Sequence, residues 1–320
     1  MRIRIIGKKA QVFILVAIAL IALFTVSYGV YSTIQDRSTV NTRINTMDSF
    51  LFSVEKDLSR QMYVVGHRGL FMAEANVTAT GNYINNMTSY FNSIFFNDIP
   101  YNDFCNSSNL NESIMCGARY IDLLYENEDS INNKARNMNI NINVTRPSIV
   151  IYQANPWNMG INFQFDLFMD DSSGLASWKK RASITSEVSI EGFEDPLYLI
   201  KTGGRVATKV RRTIYEGNYT SGSDVTNLRA HLDNGYYAQN TNAPSFLGRL
   251  QGNLSADTNG IESFVDNSKL EQQRVETKTK SSIDYIYFDD YNNPSYSSVS
   301  GMPNWFRIDD SHKAKYNITG

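Results

Sequence analysis

The residues able to do chemistry are few and scattered. His67, His231 and His312 are the only histidines, and no two lie close in sequence. A zinc site normally shows His or Cys at short spacing, so neither a metal nor a cofactor is expected. No Gly-x-Ser-x-Gly elbow occurs, and a Ser-His-Asp set could be assembled only by guesswork. Lys201-Thr-Gly-Gly-Arg205 has the glycines of a phosphate loop without its spacing and reads as a hairpin turn. Asp170-Asp171, Asp289-Asp290 and Asp309-Asp310 are oxygen-rich and could bind calcium outside a cell, but none has EF-hand spacing; solvated turns account for them. Lys209, Arg211 and Arg212 could form a basic ridge, though a solvated sheet face is the simpler reading. Tyr285, Tyr287, Tyr291 and Tyr296 could stack on sugars or partners, with core and rim packing as the plainer role. No catalytic residue is assigned and the chain reads as non-enzymatic. Its net charge of −2 gives no basis for a nucleic-acid partner.

One stretch has composition and spacing with a clear physical purpose. Val12 to Tyr31 is twenty residues without a charge, and as a helix it would rise about 30 Å, the thickness of a bilayer core. Arg2, Arg4, Lys8 and Lys9 precede it. The charges that follow (Asp36, Arg37, Arg43, Asp48) cancel. The positive flank should stay in the cytoplasm, placing everything after Tyr31 outside. In that oxidising setting Cys105 and Cys116, the only cysteines, read as a disulfide closing a polar loop, worth on the order of 2–3 kcal/mol. Asn-x-Ser/Thr sequons stand at Asn76, Asn86, Asn106, Asn111, Asn143, Asn218, Asn253 and Asn317. Their number is near chance for a chain so rich in Asn, Ser and Thr, but all are compatible with N-glycosylation.

Two fates remain open for the apolar segment. Val12 to Phe24 could be the core of a secretory signal, with Ser27-Tyr28-Gly29 as a small-x-small cleavage site. Alternatively the segment stays as an anchor. The run Lys8-Lys9-Ala10-Gln11-Val12 is a basic pair, a small residue, then Gln opening an apolar helix. It resembles the archaeal prepilin-type (class III) signal. The resemblance covers about the first thirty residues. It implies cleavage between Ala10 and Gln11 with the helix retained, Lys9, Ala10 and Gln11 being the processing residues. Many bacterial members carry Glu five residues into the mature chain, and Leu15 stands there instead, which favours an archaeal pilin-like protein over a bacterial pilin.

Beyond Tyr31 the apolar residues keep helical spacing. Val40, Ile44, Met47, Leu51, Val54, Leu58, Met62 and Val65 step by three and four, one stripe on one helix face. Joined to the first segment, residues 12 to about 74 would form a rod some 90 Å long, with Ser32 to Asn41 as a polar hinge. Helices are also expected over Asn82–Phe96, ended by Ile99-Pro100, and over Gly117–Met138. Near Asn139 the pattern changes. Ser148–Gln153 reads as a strand, and Ile161 to Met169 alternates apolar and polar. Asp170 to Gly174 makes a turn, and Ile184 to Ile190 is the next strand. Leu197–Thr202, Gly203-Gly204 and Val206–Ile214 read as a hairpin. Short helices follow after Ser223-Asp224 and over Pro244–Leu250, with late strands at Gly260–Val265, Ser282–Phe288 and Trp305–Ile308.

The expected fold is therefore α+β. Residues 1–11 form a cytoplasmic leader, 12–31 a transmembrane helix, 32–138 an extracellular helical stalk with the Cys105–Cys116 loop, and 139–320 an antiparallel, sandwich-like head. The expected function is a membrane-anchored pilin-like surface protein, in a filament if it polymerises; the alternative is a monomeric stalked binding module or adhesin. Phe13, Leu15 and Leu20 would meet lipid, and Ile44, Leu51 and Leu58 would pack, in cis or against further copies. In a filament, the off-stripe residues Phe50, Tyr63, Val64 and Phe71 should stay uncovered by the chain's own head.

Overall fold

The computed structural model describes residues 8–97, 114–126 and 130–318, with side chains from Val12 onward. The fold is α+β. One helix, α1 (Lys8–Thr80, 73 residues), runs for about 110 Å at 1.5 Å per residue. No Pro interrupts it, and no Gly lies between Gly29 and Gly66. It ends where Gly81 takes the left-handed conformation (φ 67°) and its N–H closes on Val77 O at 2.8 Å, the usual glycine stop.

The helix lies on an antiparallel meander of three long strands: β1 (Ile140–Asn155), β2 (Asn158–Asp171) and β3 (Ser177–Ser189). The alternation read in the sequence sets the register: Ile161 opposes Ile151 and Ser186, and Phe163 opposes Ile149 and Ile184. Ile161, Phe163, Phe165, Leu167 and Met169 all point into the core. There they meet Met47, Leu51, Val54, Leu58, Met62 and Val65 of α1, in one continuous apolar cluster. The Asp170–Gly174 turn forms as expected, with Asp171 accepting from Ser173 N and Leu175 N.

Helix α2 (Met87–Phe95) is shorter than expected because Asn86 caps it, accepting from Ser89 N at 2.8 Å. Residues before Asn86 instead tie the chain to a distant part of the sequence, Ile84 N donating to Leu250 O at 2.9 Å. The continuous helix expected over Gly117–Met138 is replaced by a π-helical turn (Asp122–Glu126) and α3 (Ile131–Asn137). The Arg119–Asp122 ion pair is wholly buried at that turn. Cys105, and with it the expected bridge to Cys116, lies outside the described residues, as do Asn106 and Asn111.

After Ser189 the chain departs most from the sequence reading. Pro196–Lys201 is a helix, α4, because Asp195 caps it and Pro196 takes the first helical position. Gly203-Gly204 ends that helix and is no hairpin turn. Val206–Ile214 forms no strand, only the isolated bridges Glu194–Lys209 and Arg212–Tyr237. Then come α5 (Thr226–Asp233), β4 (Tyr237–Gln239), α6 (Phe246–Gln251), β5 (Ile261–Ser263) and α7 (Asn267–Gln272). The expected strand Ser282–Phe288 is largely helix α8 (Asp284–Phe288); every residue in it is buried, and an all-round apolar run does not separate strand from helix. β6 (Tyr296–Ser298) pairs with β7 (Arg307–Asp309), and α9 (Asp310–Lys313) follows. Among the described residues no second sheet packs face to face on the meander, so the expected sandwich is a helix-on-sheet body plus a loop-rich region with two short ribbons.

Candidate membrane-insertion and assembly helix

The two parts of α1 have opposite surroundings. From Val12 to Tyr31 almost every side chain is exposed: Phe13 79%, Leu15 69%, Leu20 50%, Phe24 68%. Large apolar side chains on every side of a helix, touching nothing, describe an element that needs an apolar medium. This helix is long and apolar enough to cross a membrane. Thr25 satisfies its hydroxyl by donating to Ile21 O at 2.7 Å, so it brings no unpaired polar group into such a medium. Tyr28 and Tyr31 close the segment, where amphipathic rings suit a membrane interface.

From Ser32 to Thr42 the helix is polar and mostly exposed, a collar about 16 Å long. Thr33, Thr39 and Thr42 each donate back to the carbonyl four residues earlier, keeping the helix closed without outside help. Contact with the body begins at Arg43. Its guanidinium pairs with Asp171, and its Nη2 donates to Met138 O at 2.7 Å and Asn139 O at 2.8 Å. One side chain thus grips the open end of the β1–β2 pair, where the start of β1 meets the end of β2. Burial pushes the Asp171 carboxyl up, but hydrogen bonds from Arg43 and Leu175 N bring it below its ordinary value.

Below Arg43 the stripe behaves as spaced. Met47, Leu51, Val54, Leu58, Met62 and Val65 are buried, while Val40 and Ile44 are half-buried at the edge. Gly66 and Gly69 set the closeness of the contact. A Cβ on Gly66 would run into Ile161 and come within 2.8 Å of Val188, and one on Gly69 would overlap the Phe91 ring. Of the off-stripe residues, Tyr63 and Phe71 are each 46% exposed. Phe50 is buried, covered by the body itself, and Val64 is half-buried. Phe52, at 69% exposure, joins the open face; its position between Leu51 and Val54 hid it among stripe residues.

The scattered titratable residues end in structural pairs. His67 lies on α1 with its ring 5.3 Å from that of Phe193. Asp290 pairs with Lys278 at 2.8 Å, and Asp310 with Lys313 at 2.6 Å. Arg212 lies over the Trp157 ring and 3.8 Å from Glu216. Tyr285 and Tyr287 are buried, whereas Tyr291 is 98% exposed. Among the sequons, Asn143, Asn218 and Asn253 are exposed, Asn76 is half-buried, Asn86 serves as the α2 cap, and Asn317 donates to Gly217 O at 3.0 Å.

Two buried polar clusters were not anticipated. Arg249 on α6 is fully buried, donating to Asp195 at 2.6 Å and Asp284 at 2.9 Å. In the second, His312 donates from Nδ1 to Asp309 at 2.6 Å and from Nε2 to Glu262 at 3.1 Å. Burial alone would lower the His312 pKa, but the two carboxylates raise it to about 9. Burial likewise works against Glu262 and Asp309, and hydrogen bonds from His312 and its neighbours bring each down to about 2. Lys315 Nζ and Tyr316 Oη donate to the other Glu262 oxygen at 2.6 and 2.7 Å. His231, by contrast, is buried among aromatic rings, and burial pushes its pKa down to about 3. The one sequence hint of the His312 cluster was Asp309 three residues before His312, a helical spacing; Glu262 is brought in only by the tertiary fold.

No known family model matches the chain, and no curated protein or solved structure matches it either.

Proposed function

We propose that this chain is a single-pass, pilin-like structural protein of a cell surface. Its N-terminus is cytoplasmic, residues 12–31 sit in the membrane, and the body after the polar collar faces outward. In this reading the leader is cut between Ala10 and Gln11, and the retained helix joins copies of itself or related pilin-like proteins in a surface filament. A Cys105–Cys116 disulfide and glycans on exposed sequons belong to the same outward-facing reading. The observation that carries it is the unbroken α1: a lipid-ready segment and a body-clasping segment lie on one rigid rod. Such a rod transmits the position of the membrane segment directly to the body. The open face marked by Phe52, Tyr63 and Phe71 leaves apolar surface for a neighbour.

The polar collar favours the second reading, a stalked binding module standing alone, because a tightly packed helical core would enclose it at a desolvation cost. Intact mass and N-terminal sequencing of the protein from native membranes separate the two. A mature chain beginning at Gln11 is the expected result. A start at Val30 would overturn both anchor and filament, and a start at Met1 would favour the lone stalked module.

A further inference from the structure

The loop-rich region after β3 carries a cavity of about 410 Å³, within the range of small-molecule sites. Four chain segments converge on it. Asn240 and Asn242 come from the turn after β4, Tyr285 from α8, Asn292 from the loop before β6, and His312 and Lys315 from the C-terminal end. Its floor is rigid. Asn240 bonds Glu262 and lies 3.2 Å from His312, and Tyr285 Oη is 3.2 Å from the same imidazole nitrogen. Its rim is polar and open: among the described residues the exposed amides of Asn242 and Asn292 make no side-chain hydrogen bond.

Charge narrows the ligand. His312 and Lys315 are the cations at the floor, and Asp309 and Glu262 balance them. With each cation already paired, an anion would have to compete with a buried carboxylate, and a cation would meet protonated His312. What remains on offer is amides, a phenol and a hydroxyl, beside the partly exposed apolar ring of Pro294. That combination matches a ring bearing hydroxyls on its edge and C–H groups on its face. We infer that this cavity binds a neutral carbohydrate, with Asn242 and Asn292 as the hydrogen-bonding rim and Pro294 beneath the sugar's apolar face. The site is independent of α1 and of whether the chain polymerises.

The test uses the full chain in detergent micelles. The probes are methyl glycosides of glucose, galactose, mannose and N-acetylglucosamine, their β1,4-linked dimers, and glucuronic acid, read by saturation-transfer NMR and titration calorimetry. Saturable binding of at least one neutral sugar is expected, weakened tenfold or more in Asn242→Ala/Asn292→Ala, a variant that should melt like the parent. Absence of saturable binding by every neutral sugar would overturn the inference. So would stronger binding of glucuronic acid, or neutral-sugar binding indifferent to the two Asn substitutions.

Discussion

The two halves of α1 belong to one helix without a break, yet one is bare and the other clasped. The difference lies in how apolar residues are distributed around the helix. In Val12–Tyr31 they cover all sides, so no single face can be satisfied by a sheet and the whole circumference needs an apolar medium. Between Met47 and Val77 most of them lie on a stripe, which the body covers, with Phe52, Tyr63 and Phe71 left outside it. The collar between them, which Arg43 ends by pairing with the body, keeps the two environments apart. An apolar helix is thus not one kind of object, and composition around the axis decides what it must touch.

The largest expected effect tests that partition directly. Leu58→Arg places an unpaired charge at a 1% exposed position and should destabilise the body by about 4 kcal/mol or more, while leaving membrane retention intact. Leu20→Arg should do the reverse. It costs about 3 kcal/mol of membrane insertion and leaves the melting temperature of the body unchanged. Melting curves and membrane fractionation of both variants check the pair, and a shared phenotype would break the comparison.

Titration separates the halves next, because the coupled groups lie in the body. His312 is raised from 6.5 to about 9, so its contribution is complete below pH 6.5 and is lost as pH rises through 9, on the order of 3 kcal/mol. His231 is lowered to about 3; the unfolded chain binds its proton first, so stability also falls as pH drops below 6.5. Glu262 and Asp309, held near 2, add to the acid limb below about 4.5. Thermal melts should therefore peak near pH 6.5, and His312→Gln should flatten the alkaline limb while the acid limb from His231 persists.

Smaller effects sharpen the boundary. Arg43→Gln removes the clasp and leaves buried Asp171 without its cation, a loss of about 2–3 kcal/mol, read by chemical denaturation. Gly66→Ala should cost about 1–3 kcal/mol through overpacking against Ile161 and Val188. Gly29→Ala, with nothing within 4 Å, should cost nothing and gain up to about 1 kcal/mol of helix propensity. Equal effects of the two glycine substitutions would contradict the assigned surroundings.

What could be read from the sequence follows from the same physics. The α1 stripe and the alternation from Ile161 to Met169 were legible because each element buries one face, and a half-buried element writes its period into the chain. Pro196–Lys201 reads as a strand because it is short and its buried run Pro196–Leu199 leaves only Ile200 and Lys201 toward solvent, and Asp284–Phe288 because it is short and buried throughout; neither shows a polar face that reveals the period. For the first, Asp195 followed by Pro196 is the local helix-start signal. Gly66 and Gly69, three apart on the stripe of a helix with no other glycine nearby, were an available sign of close approach. The union of Glu262, His312 and Asp309 joins residues far apart in sequence, and no local pattern announces it.

The most direct test of the central claim uses the full chain reconstituted into lipid vesicles, washed with alkaline carbonate and treated with trypsin from outside. The account predicts that the chain stays with the lipid and is cut in the collar at exposed Arg37, releasing a folded body and leaving a lipid-held N-terminal fragment. A chain recovered in the carbonate wash, or one with no lipid-held fragment spanning Val12–Tyr31, would contradict it.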